Sequence, residues 1–224
     1  MKKDFEFFKK CPLFDKTDDE ELDIILNSRY TNVRNFPKNQ VIIAEGDSTD
    51  HIGIVLSGSV QIVRNDYYGN RSIIAHIESP HIFAEVFAFS VISAMPVSVI
   101  STAESRIMLI DLKNLLNEIS DKNAFYAKLT NNLLKVITEK NLKLNEKIEI
   151  ISKRTTREKL MTFLLSQAKL NQSDTFTIPY DRQALADFLE VDRSAMSAEI
   201  SKLRAEGIIE SNRSEFKLKN INED

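Results

Sequence analysis

From Ala124 to Ser152 the chain runs without a glycine or a proline, and within it Leu134, Ile137, Asn141, Leu144, Ile148 and Ile151 recur at intervals of 3, 4, 3, 4 and 3 residues. That alternation keeps side chains on one narrow stripe of an α-helix, the seam of a coiled coil. Ala127 and Thr130 carry the register backwards as smaller residues. A stripe so thin suits a second helix better than a domain core, although the same helix can also lie against its own domain. Asn141 is a lone polar seam residue, of the type that fixes the register of a parallel pair at some cost in stability. The spacing predicts a dimerisation helix over 124–152, and the rest of the chain must be arranged on either side of it.

Beyond this rod, Asp181 to Gly207 reads DRQALADFLEVDRSAMSAEISKLRAEG, two short helices joined tightly. Asp181 and Asp192 are placed as N-caps. Leu185, Phe188 and Leu189 share one face of the first helix, and Met196, Ile200 and Leu203 share one face of the second. Small Ala186 permits close approach, Glu190-Val191 leaves room only for a turn, and Gly207 stands where a helix end tolerates positive φ. This is a helix-turn-helix pattern. The second helix keeps an outward row of Arg193, Ser194, Ser197, Ala198, Ser201 and Lys202, cations and short polar groups suited to phosphates and base edges in a major groove. A helical hairpin that only packs against protein is the other use of the same pattern.

Between rod and hairpin, Ser152-Lys153-Arg154 is the expected hinge, and Thr155 with Glu158 forms a T-x-x-E capping box that opens a helix over 156–168 with Leu160, Phe163, Leu164 and Gln167 inward. A short strand at Phe176-Thr177-Ile178 precedes the hairpin. After Gly207, Ile208-Ile209-Glu210, the turn Ser211 to Ser214 and Phe216-Lys217-Leu218 read as a β-hairpin wing. Arg182 and Arg213 join Lys202 as candidate phosphate contacts of a winged helix, and Gln183 is a further DNA-binding candidate.

The N-terminal half has another grammar. A short acidic helix starting near Thr17 turns Leu22, Ile25 and Leu26 inward. Brief β-rich runs follow at 41–44, 52–56, 60–63, 72–77, 97–100 and 107–110, separated by Glu45-Gly46-Asp47, Ser57-Gly58-Ser59 and Tyr68-Gly69-Asn70. Regular short strands with glycine turns predict an antiparallel barrel or sandwich. With 224 residues, two domains that each bury a core are expected, and the division falls at 1–123 for the β domain, 124–152 for the rod and 153–224 for the winged helix.

Composition narrows the uses of such a fold. The net charge of −3 requires any nucleic-acid binding to come from a local patch. The single cysteine, Cys11, cannot close an internal disulfide, the charged start MKKDFEFFKK lacks the apolar core of a signal peptide, and no run is apolar enough to span a bilayer, so a cytoplasmic protein with no membrane partner is expected. No nucleophile–base motif, carboxylate pair, phosphate-cradling glycine loop or spaced metal ligands is present, which speaks against an enzyme.

EGDSTDHIGIVLSGSVQIV (Glu45 to Val63), followed by IFAEV (Ile82 to Val86), the long helix and the helix-turn-helix, resembles the cyclic-AMP receptor protein/FNR (Crp/Fnr) family of bacterial transcription regulators. The likeness spans nearly the whole chain. It implies an α+β protein with an antiparallel β jelly-roll sensor domain of the cyclic-nucleotide-binding kind, and a homodimer on a two-fold symmetric DNA operator. It further implies RNA polymerase as a partner and a small-molecule effector. Members that bind cyclic nucleotides use a Gly-Glu pair for ribose and phosphate and a later Arg-Ser pair as the phosphate clamp. Here Ala84-Glu85 fills the first and Met95-Pro96 the second, so the guanidinium is missing and cyclic AMP is not the expected effector. The effector pocket implied comprises Phe83, Ala84, Glu85, Val86, Met95, Pro96 and Val97, apolar enough for a hydrophobic or aromatic molecule or simply for core. By the same resemblance, Lys140 and Asn141 occupy the dimer-helix positions that reach the effector in nucleotide-binding relatives. In the reading helix, Ala198 replaces the arginine that usually grips guanine, leaving Arg193, with Glu199, if exposed, as an acceptor for cytosine N4. No cofactor is expected: one cysteine cannot hold an iron–sulfur cluster, and the possible haem ligands Cys11, His51, His76 and His81 are irregularly spaced.

Overall fold

A computed structural model describes residues 5–89, 94–119 and 123–219. The chain opens with α1 (Phe5–Lys9), a single 3-10 turn (Pro12–Phe14) and α2 (Asp19–Leu26). Eight strands follow: β1 (Thr31–Phe36), β2 (Val41–Ile43), β3 (Ile52–Ser57), β4 (Ser59–Asn65), β5 (Arg71–Glu78), β6 (Ile82–Phe83), then, after the short α3 (Glu85–Ala88), β7 (Ser98–Ser101) and β8 (Ser105–Ile110). After α4 (Leu112–Glu118) comes the uninterrupted α5 (Asn123–Ile151). Then come α6 (Thr156–Asn171), β9 (Thr175–Thr177), α7 (Arg182–Leu189), α8 (Arg193–Ala205), β10 (Ile209–Asn212) and β11 (Glu215–Leu218). Contacts divide the chain into two compact units. The first runs to Gly69 and resumes from Ile74 to Asn141, and the second joins Asn70–Ile73 to the chain from Leu142 onward.

In the first unit the strands form two four-stranded sheets, ordered β1-β8-β3-β6 and β2-β7-β4-β5, with β1–β8, β3–β8, β3–β6, β2–β7 and β4–β7 paired antiparallel. Sequential strands mostly sit in different sheets, the jelly-roll arrangement that short strands with glycine turns predict. Alternation along β3 serves two cores. Val55 points between the sheets, with Phe36, Val60, Phe83, Val97 and Val99. Ile52 and Ile54 point outward, where α1, α2, α4 and the first turns of α5 cover them through Phe8, Phe14, Leu22, Ile25, Leu115, Phe125, Leu129 and Leu133. Gly53 is obligatory between them: a Cβ there would lie 2.0 Å from Cζ of Phe83. β1 escapes the sequence reading, because Thr31–Phe36 alternates too weakly to announce a strand and is recruited by the edge of β8.

Helix α2 begins at the N-cap Asp18, whose side chain and that of Glu21 form a reciprocal capping box. Leu22 and Ile25 are fully buried, and Leu26 is only partly so. The second unit is a three-stranded antiparallel sheet, β10-β11-β9, against α6, α7 and α8. Its core is Leu160, Phe163, Leu164, Leu185, Leu189, Met196, Leu203 and Phe216. The Thr155–Glu158 box opens α6 as expected, with Leu160, Phe163 and Leu164 inside and Gln167 partly buried.

Candidate DNA-reading surface and effector site

Helices α7 and α8 are set by their ends. Asp181 accepts from Ala184 N at 2.8 Å and Asp192 accepts from Ala195 N at 2.9 Å, so both predicted N-caps form. Ala186 is fully buried between the helices, and Gly207 takes φ +73° after α8. The link turns through Glu190 at φ +53°, a left-handed conformation that costs a non-glycine residue about 1 kcal/mol or more. Met196, Ile200 and Leu203 face inward and leave Arg193, Ser194, Ala198, Ser201 and Lys202 exposed, with Ser197 half-exposed.

Several of these groups are already engaged. The Ser194 hydroxyl donates to Asp192 at 2.5 Å, which together with Ala195 N holds the aspartate below the usual carboxylate range. Ser201 donates to the Ser197 carbonyl at 3.0 Å. Gln183 is exposed and donates to Asp187 at 2.7 Å. Arg213, exposed at φ +50°, forms the wing tip with Ser214 between β10 and β11.

Two expectations are corrected. Arg182 is not an open surface cation: its guanidinium lies 5.0 Å over the Phe216 ring and donates to Ser211 at 3.3 Å, beneath the wing. Burial, and secondarily the charge of Arg204, lower its pKa. Glu199 is not an exposed base acceptor: its side chain is 14% exposed and receives Arg157 Nη1 at 3.2 Å, with Lys202 3.8 Å away. Arg157, which the sequence reading passed over, also donates to both Glu206 oxygens, at 3.0 and 2.5 Å. An i, i+7 pair of glutamates opposite one arginine is a signal only once α6 is known to pack on α8.

In the first unit, Ala84 adopts φ +64°, the left-handed region where glycine would be at ease. This turn starts α3 and buries Glu85, whose side chain is 4% exposed. Lys140 of α5 meets it: Nζ donates to Glu85 Oε2 at 2.7 Å and to the Ile82 carbonyl at 2.7 Å. Phe83, Ala84, Met95 and Val97 are buried in the cluster between the sheets. Val86 and Pro96, by contrast, are exposed and do not line that interior, so their inclusion in a pocket is corrected. Met95 is fixed from its backbone by Asp47 O at 2.7 Å and Gly46 N at 2.9 Å. Asn141 is exposed on α5.

The seam divides along the helix. Leu134, Leu144 and Ile148 are 62%, 45% and 50% exposed. Ile137 is partly buried against its own core and Ile151 is half-exposed, so neither is a purely outward residue. Phe125, Leu129, Leu133 and Val136 form a second stripe that anchors α5 to the first unit.

As for metal and haem ligands, burial pushes the Cys11 thiol up to about 12. His76 and His81 approach Glu78 through its carboxylate and its carbonyl, both at 3.2 Å, and His51 is exposed. Among the described residues no three metal-ligating side chains gather, and no helix is long and apolar enough to cross a membrane.

Residues 33–122 match the family model of a cyclic nucleotide-binding domain, and residues 158–223 that of a Crp-like helix-turn-helix domain. No curated protein matches the chain significantly. Among solved structures, the chain is similar to CLP of Xanthomonas campestris, described as a c-di-GMP responsive global regulator, with TM-score 0.75 and 16% identity over 91% of this chain and 100% of that one. FixK2 from Bradyrhizobium japonicum gives TM-score 0.67 and 17% identity over 85% and 93%. A CooA mutant from Carboxydothermus hydrogenoformans gives 0.61 and 18% over 94% and 96%. At such identities the likeness concerns the fold.

Proposed function

Since this chain belongs to the Crp/Fnr family of transcription regulators, which are not enzymes, we propose that it works as a cytoplasmic homodimer that reads a two-fold symmetric operator and answers to a small molecule other than cyclic AMP. The observation that carries the DNA reading is α8: its inward stripe is fully used by the core, while Arg193 at its start and Ala198 and Lys202 further along stand in solvent. Arg193 is the one long donor at the start of the exposed row, the place from which a side chain enters the major groove. Gln183, Lys202 and Arg213 supply phosphate contacts, Ser194 and Ser197 lie within the same surface, and Arg182 supports it by holding the wing to α7.

The effector reading rests on Lys140 and Glu85. The ammonium is consumed by a carboxylate and a carbonyl, and Met95 and Pro96 bring no other cation, so a cyclic phosphate would face Glu85 without a free positive partner. An apolar molecule that seats against Phe83, Met95 and Val97 and reaches Lys140 and Asn141 fits this chemistry better. RNA polymerase is the partner such a regulator would recruit or exclude.

Selection of operators from a random duplex pool tests the reading. A two-fold symmetric motif is expected, and Arg193→Ala should lower affinity for it by about 1–3 kcal/mol. Calorimetry with cyclic AMP should stay flat below about 100 μM, a threshold equal to roughly −5.5 kcal/mol. A pool that returns no symmetric motif would favour the protein-contact use of the hairpin, and saturable binding of cyclic AMP would remove the effector assignment.

A further inference from the structure

Glu199 within α8 and Glu206, the residue that caps its C-terminal end, are seven residues apart and therefore about two turns along one side of the helix. Both point to the same guanidinium. Arg157 Nη1 donates to Glu199 Oε1 at 3.2 Å and to Glu206 Oε1 at 3.0 Å, and Nη2 donates to Glu206 Oε2 at 2.5 Å. The planar fork admits this three-point contact in one orientation only. Its origin is fixed too, since Arg157 is the second residue of α6 and the Thr155–Glu158 box locks the start of that helix. Glu199 lies at the edge between the inward stripe and the surface, so the contact resists rotation of α8 about its axis as well as sliding along it.

We infer that Arg157 is a positioning residue for the reading helix, holding α8 at the angle and depth from which Arg193 meets base edges. The inference rests on the DNA-reading assignment of α8 and deepens it. A second effect accompanies it: Arg157 and Lys202 offset the charge of Glu199, which would otherwise repel phosphates.

The two effects separate in one experiment. Affinities for the selected operator and for random duplex are measured by fluorescence anisotropy, well below the melting temperature of each variant, for wild type, Arg157→Lys, Arg157→Gln and the pair Glu199→Gln with Glu206→Gln. Positioning predicts that the operator-to-random ratio falls roughly tenfold or more in all three, the scale of one lost base contact. The decisive case is the glutamine pair, where random-sequence affinity rises because two negative charges are gone while the ratio still falls. A purely electrostatic role predicts that the pair binds all DNA more tightly at an unchanged ratio. A purely structural role predicts lower melting temperatures at an unchanged ratio. Either result overturns the inference and leaves the DNA reading standing, whereas a wild type that selects no operator overturns both.

Discussion

At the level of single residues, the first unit turns on Lys140 and Glu85. A buried ion pair adds little net stability, but removing one partner strands the other charge in a poor dielectric. Lys140→Met should therefore destabilise the protein by about 2 kcal/mol in urea unfolding, less than for a fully enclosed pair because the lysine is 30% exposed. The double variant Lys140→Met with Glu85→Met should recover much of the loss; additive costs would refute the coupling. Cys11 gives the pH counterpart. Its thiol is raised from 9.0 to about 12 by burial, so the folded state keeps a proton that the unfolded chain releases. Stability linked to this group is complete below about pH 9 and declines as pH climbs towards about 12. Alkylation by iodoacetamide at pH 8.5 should be limited by unfolding, and labelling of native protein at the rate of a free thiol would contradict the burial.

At the level of elements, α5 shows what a seam can and cannot reveal. The interval pattern gave the helix and its outward residues, Leu134, Leu144 and Ile148, because an uninterrupted 3–4 repeat has few other readings. It could not show that Ile137 is shared with the home core, since that depends on how closely α5 approaches the sheet. Ile137→Glu would thus damage folding and dimerisation together. Leu144→Glu is the cleaner probe and should convert a sedimenting dimer to a monomer with its melting largely retained; a variant that remains dimeric would mean another surface pairs the copies. The caps of α6, α7 and α8 were equally legible, as each rests on one side chain and a neighbour three residues on. Contacts made across long separations were not. Arg182 reaches a wing that returns 29 residues later, Lys140 meets Glu85 across 55, and Arg157 finds Glu206 across 49, distances over which no local pattern carries information.

For the molecule as a whole, the net charge of −3 leaves a small electrostatic hold on any polyanion. Asp192 reduces that hold further. An N-terminus of a reading helix is a natural seat for phosphate, and here the aspartate carboxylate occupies it, kept ionised by Ser194 and Ala195. The same group that starts α8 is thereby expected to shorten each halt on the wrong sequence. A regulator built this way trades dwell time for search speed. Such a regulator is expected to leave non-cognate duplex quickly, to sample more sites per second, and to depend on the few directional contacts of the correct one to stop. Asp192→Asn keeps the cap but removes the charge, and stopped-flow dissociation from random duplex should slow severalfold while the order of preferred sequences stays the same; an unchanged rate would show that the carboxylate never faces the phosphates.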